Sequence, residues 1–135
     1  MKKQFVKTML VALALAGCHP VPASASPLKG EMREMALELC AKSVAANDLM
    51  LECIEMVSSD YYDAAMQGGQ RVIDKRIPTD DEIVAITRQH LDCDVASPIC
   101  QQTQYNYMTW FKYGAMSIMD KDKEFKSEVK AYYSE

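Results

Sequence analysis

Apolar residues recur at steps of three and four through most of the chain, and the polar positions between them divide it into helices. Over residues 31–46, Met32, Met35, Ala36, Leu39, Cys40, Ser43 and Val44 form one stripe, which predicts a first amphipathic helix. Asn47-Asp48 predicts a turn and the cap of a second helix running to about Met66. Its expected inner face is Met50, Cys53, Ile54, Val57, Tyr61, Ala64 and Ala65, and its outer face Glu52, Glu55, Ser59 and Asp60. Gly68-Gly69 reads as its stop, with residues 70–77 as a connection. Thr79, followed three residues later by Glu82, predicts a capping box, and Asp80, Asp81 and Glu82 suit the positive end of the helix that follows. That third helix runs to about Leu91, with Ile83, Val84, Ile86 and Leu91 inward. Ser97-Pro98 starts a fourth, serine as cap and proline in the first turn. It spans about 98–119, with Ile99, Tyr105, Met108, Phe111, Ala115, Ile118 and Met119 inward and Gln101, Gln104 and Lys112 outward. Residues 120–123 are a charged break, and residues 124–133 predict a last helix with Phe125, Val129 and Tyr132 on one side. No strand-like alternation and no repeat of 20–50 residues is present. The expected fold is all-α: one domain over residues 31–135, a small disulfide-stapled bundle of four to five helices.

The first thirty residues follow a different pattern. Lys2, Lys3 and Lys7 precede the apolar run from Met9 to Ala16, the arrangement of a secretory signal. The run is short of the roughly 20 apolar residues that a permanent span needs. Leu15-Ala16-Gly17-Cys18 resembles the lipobox of bacterial lipoproteins. That resemblance implies a signal peptide over 1–17 and a Cys18 that becomes the N-terminus and carries acyl chains, palmitate among them. Several chains together hold a protein on a bilayer far better than one. With His19 rather than aspartate after the cysteine, it also implies the outer membrane of a Gram-negative envelope, facing the periplasm. Residues 18–30, rich in proline and serine, then read as the lipidated cysteine and a flexible tether. A competing exit lies at Ala23-Ser24-Ala25, and cleavage there would release a soluble periplasmic protein beginning at Ser26.

Export changes the meaning of the charges and the cysteines. The whole chain carries a formal −4, and loss of Lys2, Lys3 and Lys7 makes the remainder three units more negative. An acidic domain argues against nucleic acid and anionic lipid as partners and leaves a basic protein face open. In an oxidising compartment Cys40, Cys53, Cys93 and Cys100 are expected as disulfides. Cys40 and Cys53 lie nearly evenly about the Asn47-Asp48 turn, each about 10 Å from the bend of an antiparallel helix pair. A bond between them ties the first two helices and contributes about 3 kcal/mol in the chain-entropy model. Cys93 with Cys100 is the simplest second pair; spacing alone leaves 40–93 with 53–100, and 40–100 with 53–93, open.

Candidate chemistry is sparse. His90, the one histidine in the folded part, falls near the C-terminal end of the third helix, where a cation suits the dipole. Asp120-x-Asp122-x-Glu124 begins like a calcium loop but has Phe125 where glycine is needed and Ala131 where a bidentate acid is needed. Asp92 and Asp94 read as solvated loop acids. No metallopeptidase, nucleophile-elbow, phosphate-loop or Cys-x-x-Cys pattern occurs, so the expectation is no enzyme, no metal and no cofactor. Tyr105, Tyr107, Trp110, Phe111 and Tyr113 wrap more than one face of a helix; Trp110 and Phe111 read equally well as core, and Tyr107, Trp110 and Tyr113 are the candidate contacts if the protein grips a partner. The early pair Cys40 and Cys53 with Tyr61-Tyr62, over residues 31–70, resembles the periplasmic immunity proteins that neutralise type VI secretion amidase toxins. The later glycine and cysteine spacing departs from that pattern. The resulting expectation is an envelope lipoprotein that acts by binding another envelope protein, in an immunity, exclusion or secretion-complex role. A periplasmic helical chaperone, and an enzyme using an acidic or His90 site, are the alternatives.

Overall fold

A computed structural model describes residues 27–43 and 49–134. The expected signal peptide over 1–17, Cys18, His19 and the turn expected at Asn47-Asp48 lie outside the described residues. The chain divides into residues 1–30 and 31–135. The second unit is all-α. Five helices are described: α1 (Pro27–Ser43), α2 (Met50–Ile73), α3 (Asp80–His90), α4 (Pro98–Met119) and α5 (Lys123–Tyr133). α1 starts four residues ahead of the expected boundary at residue 31, because proline fits the first position of a helix.

Two disulfides join Cys40 to Cys53 and Cys93 to Cys100, with Cα atoms 6.0 and 5.8 Å apart. The first ties α1 to α2. The second closes the α3–α4 connection. Of the expected stripe, α1 buries Met32, Ala36, Leu39 and Cys40; Met35 is half-buried, and Val44 lies outside the described residues. Ser43 is exposed instead, its hydroxyl donating back to the carbonyls of Leu39 and Cys40 at 3.2 and 3.4 Å.

The core is built on the seam between α2 and α4, the most extensive contact among the described helices. α3 packs on α4, and α5 touches both α2 and α4. Small residues bring the two central helices together: Ala64, Ala65 and Gly68 on one, Gly114 and Ala115 on the other, all buried. A Cβ placed on Gly68 would lie 2.0 Å from the Phe111 carbonyl oxygen, and one on Gly114 would lie 1.9 Å from that of Ala65. Only glycine permits this approach.

Gly68-Gly69 therefore does not end α2, which continues to Ile73. Gly69 lies under α5, where a Cβ would meet Val129 Cγ2 at 2.9 Å. The helix stops at Lys75, which takes a left-handed φ of 67°. Lys75 N–H donates to the Val72 carbonyl and Arg76 N–H to that of Arg71, each at 2.9 Å, the paired bonds of a Schellman end. α4 ends the same way. Lys121 has φ 64°, its N–H donates to Ile118, and that of Asp122 donates to Ser117, both at 3.0 Å.

The helix starts follow local chemistry. Thr79 accepts from Glu82 N at 3.2 Å while the Glu82 carboxylate accepts from Thr79 N at 3.0 Å, the expected capping box. Ser97 caps Cys100 N at 3.4 Å with Pro98 opening α4, and Asp122 caps Phe125 N at 3.0 Å. Leu91, Val84 and Ile86 are half-buried, so α3 contributes mainly Ile83 and Thr87 to the core. No helix among the described residues is long and apolar enough to cross a membrane.

Candidate functional site

α4 has an inner and an outer face, and the glycine seam decides which is which. Because Gly114 must lie against Ala65, the residues one and two turns before it turn inward. Tyr107, Trp110 and Phe111 are buried, with Tyr107 and Phe111 wholly out of solvent. This corrects the sequence reading of Tyr107 and Trp110 as surface contacts: both are core. Tyr113 alone of the three candidates presents surface, at 40% exposure. Tyr105, at 63%, and Met119, at 44%, also stand outside rather than within. Gln104, expected outside, is half-buried, and its Nε2 and the Trp110 Nε1 lack hydrogen-bond partners.

The outward residues form a shallow groove along α4, lined by Tyr105, Met108, Thr109, Lys112, Tyr113 and Met116. Met119 continues the stripe by one turn. Steps of three and four residues put all of these on one side. Tyr113 is held in place there: its ring stands edge-on to Trp110 at 5.4 Å and to Phe125 at 6.0 Å. A half-exposed aromatic locked by buried neighbours loses little freedom on binding. Across 22 residues α4 has one charged side chain, Lys112, in a chain that is 25% charged. Lys112 Nζ reaches Asp80 Oδ1 at 3.4 Å, which sets the acidic first turn of α3 beside the groove.

A second cluster lies where the end of α5 meets α2. Tyr132 OH donates to Asp63 Oδ1 at 2.7 Å, Gln67 Nε2 donates to Asp63 Oδ2 at 2.7 Å, and Tyr62 OH donates to Glu128 Oε2 at 2.7 Å. Gln67 Nε2 also reaches the Tyr107 hydroxyl at 3.3 Å. Deeper in, Asn106 Nδ2 donates to Tyr61 OH at 2.9 Å. Burial, then the accepting carboxylate, pushes the Tyr62 and Tyr132 phenols above their ordinary range. Burial and the charges of Asp63 and Asp60 do the same to Tyr107. Tyr133 is pushed up to about 12 by burial and by Asp63, with Arg71 opposing. All four phenols are raised, and two of them, Tyr62 and Tyr132, donate hydrogen bonds to carboxylates. The cluster fastens α5 to α2; it does not assemble an activated nucleophile.

His90 ends α3 on the surface. Its Nε2 is 3.4 Å from Asp60 Oδ1, and its ring lies on Tyr107 with centroids 4.9 Å apart. The pair clips α3 across the α2–α4 seam. Asp80, Asp81 and Glu82 are exposed at their helix start, and Asp92 and Asp94 are exposed in the loop, Asp94 accepting from Ala96 N at 3.0 Å. Among the described residues no group of three or more His, Cys, Asp or Glu side chains is placed to hold a metal ion. Cys40, Cys53, Cys93 and Cys100 are bonded in pairs, while Cys18 lies outside the described residues.

The outward Tyr105, Met108, Met116 and Met119 are the binding-face candidates that sequence reasoning missed. The available signal was Gly114, which shares a face with Phe111 and Tyr107 and so turns the opposite residues out. No protein-family model, curated protein or solved structure matches the chain.

Proposed function

We propose that this is an exported envelope protein, anchored through lipid on Cys18, that works by gripping another protein through the outer face of α4. The observation that carries the reading is the stripe of Tyr105, Met108, Tyr113, Met116 and Met119 along a helix whose one charged side chain is Lys112. Contiguous exposed apolar surface is a feature of contact sites. Tyrosine is favoured at the energetic centres of such contacts. Two disulfides suit an oxidising compartment, and the lipobox-like Leu15-Ala16-Gly17-Cys18 supplies the anchor. Binding without catalysis fits an immunity, exclusion or secretion-complex role, and the likeness of residues 31–70 to toxin-neutralising immunity proteins points the same way.

A photo-crosslinking residue at Tyr105 or Met116, in cells that make the full chain, tests the contact face. One discrete adduct from these positions, and none from exposed Glu55 on α2, is expected. Equal adducts from all three positions would defeat the reading. Intact mass of the mature protein tests the anchor: acylated Cys18 at the front supports it, and free Ser26 refutes it.

The three methionines of the stripe favour a second reading, a chaperone with an adaptable surface. It predicts that mild acid exposes further apolar surface and suppresses aggregation of a client. Flat dye binding and client light scattering between neutral and acid pH would remove it.

A further inference from the structure

The groove on α4 is not electrically isolated, and its surroundings constrain what can occupy it. Lys112 sits in its wall, 3.4 Å from Asp80, with side-chain exposures of 52% and 86%. An ion pair this exposed is weak and exchanges readily. Asp80, Asp81 and Glu82 all stand exposed in the first turn of α3, and one Glu82 oxygen is occupied by Thr79 N. The ammonium of the groove wall is thus met by Asp80, with Asp81 and Glu82 next to Asp80 in the same exposed turn, in a chain of formal charge −4. A second copy would set like charge against like along this edge. An anionic bilayer surface would be repelled for the same reason.

We infer that the occupant is a protein segment with an apolar stripe and basic side chains beside it, its arginine or lysine replacing Lys112 on Asp80 and Asp81. This rests on the reading of α4 as the contact face. Apolar residues fill the groove between Tyr105 and Met116, and the basic ones meet the start of α3. Charges at such a rim act mainly on the association rate and on its dependence on salt.

The test begins with the adduct trapped at Met116 in the full-length chain, identified by mass and then purified as a free partner. Its association is measured with the wild-type chain, with Asp80→Asn/Asp81→Asn, and with Lys112→Met, at low and at moderate salt. Asparagine keeps the shape of the turn and leaves the Thr79–Glu82 capping box intact, and a thermal melt verifies the fold. The neutralised variant is expected to bind about ten-fold more weakly at low salt and to lose most of its salt dependence. Lys112→Met, which frees Asp80, is expected to bind at least as tightly as wild type. Unchanged affinity and salt dependence in Asp80→Asn/Asp81→Asn would overturn the inference while leaving the contact face standing. So would an adduct of two copies of this chain, or a trapped segment without a basic residue. Absence of any adduct at Met116 would instead remove the contact face itself, and the inference with it.

Discussion

Replacing Gly68 by alanine sets two well-known effects against each other. Glycine inside a helix costs about 1 kcal/mol relative to alanine, so propensity alone predicts a more stable protein. The seam predicts the reverse. The new methyl would lie 2.0 Å from the Phe111 carbonyl oxygen and 2.9 Å from its carbon, whereas ordinary contacts begin at 3.4 Å. The obstacle is backbone, which no rotamer change removes, so α2 and α4 must part by about 1.4 Å. A gap of 0.5–1 Å already forfeits roughly a quarter to a half of each dispersion contact across it. Overpacking of this kind costs about 1–3 kcal/mol or more, and the rigid obstacle puts Gly68 at or above the upper end. After the propensity gain is subtracted, a net loss of about 2–3 kcal/mol remains, or a fall in Tm on the order of 10 °C. Thermal and urea melts of the oxidised protein measure it. Gly114→Ala, 1.9 Å from the Ala65 oxygen, should behave alike. Gly30→Ala, whose methyl meets nothing within 4 Å, is the control and should be neutral or stabilising. A Gly68→Ala protein as stable as wild type, with an unchanged spectrum, would refute the close-approach account of the seam.

Other consequences are open to measurement. Lys75→Gly and Lys121→Gly each relieve a left-handed backbone at a helix end and should raise stability by about 0.5–1 kcal/mol, read as a higher urea midpoint; a lower midpoint contradicts the Schellman assignment. Thr79→Ala removes one arm of the α3 capping box and should cost about 1 kcal/mol. Replacing both Cys40 and Cys53 by serine should cost about 3 kcal/mol, against about 2.5 for the shorter Cys93–Cys100 loop; equal or reversed losses would place the weight of the fold elsewhere. Tyr62, Tyr107 and Tyr132 have phenols raised by burial above the ordinary value of 10.0. The unfolded chain releases those protons first, so stability holds below about pH 10 and falls as pH rises beyond it toward the raised folded values. Melts from pH 8 to 11.5, with phenolate absorbance followed in parallel, check this; a flat profile would show these hydroxyls free in the folded state.

Much of the fold was legible because its signals are local. The Thr79–Glu82 box, Ser97-Pro98 and the helical period each act within one turn, and the spacing of Cys40 and Cys53 about a bend favoured their pairing while leaving the two crossed patterns open. The glycines were not legible in the same way. Gly68-Gly69 has the composition of a helix stop, yet its use is to let Phe111 and Val129 come close, a fact carried by residues more than forty positions away. The stop of α2 falls at Lys75, which no composition rule marks, whereas that of α4 at Lys121 lies in the charged break expected over residues 120–123. The aromatic run failed for a related reason. Five rings in nine residues must point several ways, and period alone cannot say which way is in. The contact of Gly114 with Ala65 settles it by sending Tyr107 and Trp110 inward and leaving Tyr113 beside two methionines outside.

The position of α2 also sets the order in which the molecule comes apart. It is bonded to α1 through sulfur, pressed on α4 along its small residues, and crossed by α5 through the Asp63 and Glu128 hydrogen bonds. The outer helices can lift away one at a time while this strut persists. Deuterium should therefore reach the amides between Tyr61 and Gly68 last, only when the whole domain opens, and the short α3 and α5 much earlier.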